Sequence, residues 1–167
     1  FHVIAGRSGS GGLANVGSSR LQTLTEDLNI LSQDYDFVLL DLGAGVERTV
    51  RQLAHKAGTC AVLLTDEPTS LTDAYAFIKV SHSERPEIDF KIVANSVNST
   101  REGVRTYNTL LKACEGFLKI SPSLLGTIRR DPHVKEAIRN QMPLLAHAPN
   151  TEAAEDVDKI AANLISQ

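Results

Sequence analysis

Residues 35–45 read Tyr-Asp-Phe-Val-Leu-Leu-Asp-Leu-Gly-Ala-Gly. Four apolar residues, Phe37 to Leu40, run directly into Asp41. An unbroken apolar run reads as a strand buried on both faces, the pattern of a parallel sheet. Asp41 then stands at the strand's carboxyl end, the edge where open α/β sheets bind ligands. In nucleotide hydrolases an acid at this place holds Mg²⁺, usually through a water. Gly45, four residues on, lets the backbone come close to a terminal phosphate. The same aspartate also reads as a simple cap for the next helix.

Strand and helix patterns alternate along the rest of the chain. Phe1–Ala5 reads as a short strand. Leu21, Leu24, Leu28 and Leu31 give a helix over 20–33 one core face. Val46–Ala57 reads as a helix ended by Gly58 as a C-cap. Cys60–Thr65 is a second apolar strand. Ser70 and Asp73 resemble a capping arrangement for a helix with Leu71, Ala74, Tyr75 and Ile78 inward. The segment Ser81–Glu87 reads as a surface loop, and Phe90–Asn95 as a strand. Ser99 and Glu102 form a capping box for a helix with Val104, Tyr107, Leu111, Cys114 and Leu118 inward. Leu124–Ile128 is the last strand. Asp131-Pro132 then opens a short helix to Gln141 as N-cap and first helical residue. A final helix, 151–166, carries Val157, Ile160, Ala161, Leu164 and Ile165 on one face. Five such alternations without a hairpin signal predict an α/β fold: a mostly parallel sheet of about five strands with helices on both faces. No domain boundary is visible, so residues 1–167 read as a single domain.

Composition excludes several classes. Hydrophobic residues make up 42% of the 167 and charged residues 22%, an ordinary globular balance. The net charge of −3 gives no support for non-specific nucleic-acid binding. Cys60 and Cys114 lie in separate apolar segments and read as buried thiols of a reducing, cytoplasmic compartment. No run approaches a membrane span. The start at Phe1, without Met, reads as a processed chain or part of a longer one. The five histidines are scattered, at 2, 55, 82, 133 and 147, with no metal-ligand spacing. The glycines of Gly6–Gly12 are spaced like those of a phosphate loop. Gly12 and Leu13, however, stand where Lys and Ser/Thr belong, which favours a plain strand-to-helix loop. Ser8 and Ser10 have no base partner for nucleophilic catalysis.

Polar residues recur at the predicted strand ends: Asp41, Asp66 and Glu67, Asn95, and Asp131. Together with Glu-Pro-Thr-Ser-Leu-Thr-Asp-Ala-Tyr-Ala over 67–76, the sequence resembles the MinD/ParA family of P-loop ATPases. Within it, the sequence is most similar to flagellar-number regulators of the FlhG/FleN type. The strand ending in Ala94-Asn95 and the Gly126-x-Ile128-x-x-Asp131-x-x-Val134 pattern add to the match, which runs to about Ala148. The resemblance implies a SIMIBI-class fold, ATP and Mg²⁺ as cofactors, and a sandwich homodimer or homo-oligomer. It implies flagellar or polar assembly proteins as partners. Asp41 resembles the Walker B acid, which positions Mg²⁺ through water and serves hydrolysis. Gly45 resembles the switch II glycine facing the γ-phosphate. Asn95 resembles the adenine-recognising Asn, and Asp131 a residue of the loop beside the base. Glu67 and Asp73 match positions near the dimer face.

The sequence also departs from the family. The Lys-Gly-Gly-x-Gly-Lys-Thr loop, its strand and the switch I aspartate precede the counterpart of Phe1, so the chain reads as the carboxyl two-thirds of such an ATPase. Tight nucleotide binding and turnover are then expected of a complete parent, and weak or no ATP binding of this chain by itself. A non-catalytic protein-interaction module that keeps the fold is the alternative. The family's Ile-Pro before the base-side Asp is Ile128-Arg129 here. Its basic membrane helix is missing: Glu152, Glu155, Asp156 and Asp158 form an acidic polar side with only Lys159, which would repel anionic lipid. Asn95 also reads as a residue that merely satisfies backbone at a strand end. Asp131 reads as a simple helix cap, and Glu67 and Asp73 as local caps or surface charges.

Overall fold

The computed structural model describes residues 1–6 and 17–166. Most of the glycine-rich loop, with Ser8 and Ser10, lies outside the described residues. The chain divides into two compact units between Gly58 and Thr59.

The first unit holds α1 (Ser18–Ser32) and α2 (Arg48–Ala54). Leu21 is buried on α1 and Leu28 half-buried, while Leu24 and Leu31 reach the surface. Buried Thr25 stays within the helix by donating its hydroxyl to the Leu21 carbonyl at 2.8 Å. The predicted strand at Phe37–Asp41 does not form. The chain there has no ladder partner among the described residues, and Phe37 and Leu39 are 67% and 89% exposed. Phe1–Ala5 is likewise unpaired, with Phe1, Val3 and Ile4 exposed. An apolar run marks a strand-forming segment, but a strand exists only where a neighbour takes its N–H and C=O groups. The predicted helix over 46–57 shrinks to α2, and Gly58 is not in the left-handed conformation a glycine C-cap requires.

The second unit is the doubly covered sheet. Its strands are β1 (Thr59–Leu64), β2 (Asp89–Val97) and β3 (Ser123–Arg129), all parallel in the order β1-β2-β3. The described sheet thus has three strands rather than five. The crossovers are α3 (Pro68–Glu84), and α4 (Thr100–Ala113) running into a π-helical turn at Cys114–Leu118. After β3 come α5 (Pro132–Arg139), α6 (Leu144–His147) and α7 (Glu152–Ile165). α3 runs through Glu84, so Ser81–Glu84 is helix and not loop, with Ser81 fully buried.

Val62, Leu64, Ala74, Ile78, Phe90, Ile92, Leu110 and Cys114 form the core between β1, β2, α3 and α4. The run of β1 is buried on one face only: Val62 and Leu64 point inward, while Leu63 is 59% exposed. Consecutive residues of β3 face opposite helices, as the two-residue strand period dictates. A Cβ on Gly126 would fall 2.5 Å from Ile160 Cγ1 of α7. A Cβ on Gly103 of α4 would fall 2.5 Å from Thr127 Cγ2. Helices therefore lie on both faces of the sheet, and glycine permits the close approach at each.

α7 also blunts the outer edge of β3. The Arg129 N–H donates to Asp156 Oδ2 at 3.0 Å, and Asn163 Nδ2 donates to the Leu125 carbonyl at 3.1 Å. Covering an edge in this way removes backbone groups that would otherwise pair with another strand.

Candidate functional site

Within the second unit, the carboxyl ends of the three strands carry the polar residues that the sequence singles out. After β1, Thr65 leads into the turn that opens α3. Glu67 occupies the N-cap position of α3 and is exposed, but its side chain makes no capping bond. The Ser70 hydroxyl instead reaches back to accept the Thr65 N–H at 2.9 Å. The expected Ser70–Asp73 cap is thereby replaced, because Pro68 starts the helix before Ser70. Asp73 is an exposed residue of the second helical turn. Glu67 and Asp73 thus present, at the surface of one helix start, carboxylates with no partner among the described residues.

Near the carboxyl end of β2 lies Asn95, half-buried and aligned with Ile128 across the ladder. Its side-chain amide makes no hydrogen bond among the described residues. A half-buried amide with its donor and acceptor unused is suited to reading a ligand edge. The next residue, Ser96, has φ 56°, and the register jumps past it from Asn95↔Ile128 to Val97↔Arg129. Ser96 is therefore a bulge residue in the left-handed region, which disfavours non-glycine residues by about 1–2 kcal/mol. Arg130 holds it there. The Arg130 N–H donates to the Val97 carbonyl at 2.8 Å, Nη2 to the Ser96 carbonyl at 3.3 Å and Nε to the Ser96 hydroxyl at 3.4 Å. Ser99 closes the segment as the N-cap of α4, accepting the Glu102 N–H at 3.2 Å. Glu102 Oε2 accepts from the Asn98 N–H at 3.2 Å.

After β3, Asp131 is the N-cap of α5, accepting the His133 N–H at 2.9 Å with His133 Nδ1 2.7 Å away. The His133 N–H is the foremost influence holding its carboxyl below the usual range, and the Ala153 N–H at the start of α7 adds to it. The Asp131 carboxylate thus caps the start of α5 and meets the His133 ring. Beside it, Arg129 forks onto Asp156: Nε to Oδ2 at 2.7 Å and Nη2 to Oδ1 at 2.9 Å. Arg129 Nη1 also reaches Glu152 Oε1 at 2.6 Å. Burial pushes the Asp156 carboxyl upward. The Arg129 hydrogen bonds and charge outweigh that and leave it lowered, while Arg129 is raised. Asp156 therefore does not belong to the exposed acidic side of α7, as its helical position suggested. It faces a cation that stands in the Ile-Pro position. Arg129, Arg130, Ser96 and Asp156 are the residues that sequence reasoning missed as a set. The signal was two consecutive arginines closing an apolar strand.

In the first unit, Asp41 is exposed. Gly45 has φ 125°, where L side chains are strained, and the Glu47 carboxyl fills the space a Cβ would take. The turn therefore requires glycine. A single open carboxylate suits Mg²⁺, which keeps most of its waters and takes only one or two protein oxygens.

The family model described as cellulose biosynthesis protein BcsQ matches residues 11–165. The antiactivator FleN of Pseudomonas aeruginosa is 26% identical over 152 residues, covering 91% of this chain and 54% of that protein. The flagellum site-determining protein YlxH of Helicobacter pylori is 29% identical over 167 residues, covering 99% and 56%. The septum site-determining protein MinD of Pyrococcus horikoshii, solved with Mg-ADP, superposes with a TM-score of 0.67 at 18% identity, covering 86% of this chain and 56% of that one. The chain thus spans just over half the length of these relatives, and its fold is that of the MinD/ParA ATPases.

Proposed function

Because the chain belongs to the BcsQ family and is MinD/ParA-like of the FlhG type, we propose that it acts within an ATP-dependent switch protein. That switch would regulate flagella or a related polar system. Both units are read as parts of one ATPase domain. The single observation that supports the reading is the Asn95 amide near the carboxyl end of β2, which has no hydrogen-bond partner among the described residues, at the edge where open α/β sheets bind ligands.

In this reading Asn95 of the second unit would read an adenine edge, and Gly45 of the first unit would offer its N–H to a phosphate. Asp41 is the carboxylate that would hold Mg²⁺; the metal, when bound, neutralises charge on the phosphates. Asp131, the N-cap of α5, is read as a residue of the loop beside the base. Glu67 and Asp73 lie on the surface that would face a second copy. The partners are that copy and proteins of flagellar or polar assemblies, and the protein acts in the cytoplasm. Among the described residues no helix is long and apolar enough to cross a membrane.

The test is calorimetry with Mg-ATP and Mg-GTP on the full-length protein. Wild type should prefer the adenine nucleotide. Asn95→Ala should remove the preference, and Asp41→Ala should abolish hydrolysis while the thermal melt is kept. Equal affinity of wild type for both nucleotides would sink the reading.

A further inference from the structure

We propose that Arg130 is a positioning residue for Asn95: by holding Ser96 in its left-handed bulge, it sets the direction in which the Asn95 amide leaves β2. This inference rests on the nucleotide reading above.

Three facts carry it. Ser96 is a non-glycine residue at φ 56° and directly follows Asn95. The bulge it forms interrupts the β2–β3 register between Asn95 and Val97, and a bulge at a strand end re-aims the neighbouring side chain. Arg130 contacts that bulge through its backbone N–H, its Nε and its Nη2. No other side chain among the described residues hydrogen-bonds to Ser96. Serine has no intrinsic preference for this conformation, so the bulge depends on what grips it. The Arg130 guanidinium grips the Ser96 carbonyl, and among the described residues no ion pair competes for it.

The chemistry predicts a selectivity effect rather than a general loss. An amide that pairs bidentately with adenine rejects guanine only if its donor and acceptor are held in the right plane. Loosening Ser96 lets Asn95 rotate, and the discrimination fades while phosphate contacts persist. Glycine at 96 would adopt the same φ unaided, so Ser96→Gly should make Arg130 dispensable.

The experiment measures binding of fluorescent ATP and GTP analogues to the full-length protein. It compares wild type, Arg130→Ala, Ser96→Gly and the double variant, with a thermal melt on each. Arg130→Ala should lower the adenine-over-guanine ratio about tenfold, and the double variant should restore most of it. If Arg130→Ala weakens both nucleotides equally, the guanidinium contacts the ligand's phosphates and the inference is overturned. An unchanged ratio, or failure of Ser96→Gly to rescue it, also overturns it while leaving the nucleotide reading intact. A wild type without adenine preference overturns the nucleotide reading and this inference together.

Discussion

The Asp156 carboxylate receives both the guanidinium and the backbone N–H of Arg129, with Nε–Oδ2 at 2.7 Å and N–Oδ2 at 3.0 Å. One side chain of α7 therefore fixes both the charge and the backbone at the end of β3. Asp156 is 7% exposed on its side chain, so water screens this arrangement poorly.

Asp156→Asn should destabilise the fold by about 2 kcal/mol at pH 7, since hydrogen bonds to charged groups contribute about 1.5–3. The carboxyl is lowered in the folded state. Its contribution is therefore present above the unfolded carboxylate value, about 3.9, and is lost as pH falls through the lower folded value. Urea unfolding from pH 7 to pH 3 should show wild type and variant converging at the acid end. A gap that stays constant across that range would refute the assignment.

Gly126→Ala should push α7 away from the sheet. Its Cβ would lie 2.5 Å from Ile160 Cγ1 and 3.0 Å from Cδ1. Overpacking of this kind costs about 1–3 kcal/mol. Ile160→Ala removes both obstructing atoms, so the double variant should lose less than the two singles added together. Strict additivity in denaturant melts would show that the two residues do not meet.

The thiols of Cys60 and Cys114 are both pushed up to about 11 by burial. Reactivity requires the thiolate. At pH 8 an aromatic disulfide reagent should label both slowly in the native protein and fast in denaturant. Rapid labelling of Cys114 without denaturant would mean that α4 opens locally.

Where strands and helices pair locally, the sequence was readable. Asp131-Pro132 opens α5, Ser99 and Glu102 cap α4, and β2 and β3 contain the predicted runs within one to two residues at each end. Phe37–Asp41 was not, because the same apolar run describes a strand whether or not a neighbour is present to pair with it. The α7 stripe was half right. Ala153 and Ala154 are buried, Ile160 packs on Gly126, and Ile165 is 64% exposed. Asp156 was placed on the solvent side because helical spacing assigns a carboxylate there, and only the tertiary fold brings Arg129 to it. Asn95 and Asp131 were both singled out. Only the structure separates them: the Asn95 amide has no hydrogen-bond partner among the described residues, and the Asp131 carboxylate caps α5.

Arg129 and Arg130 send adjacent N–H groups in opposite directions, one to α7 and the next to β2. That alternation makes the length of this segment more constrained than its chemistry. Inserting one residue between Leu125 and Arg129 would reverse the parity, turning the Arg129 N–H toward β2 and the Arg130 N–H toward α7. Inserting two would restore it. Tolerance of insertions here should therefore follow an odd–even rule, a pattern that a flexible connection would not produce.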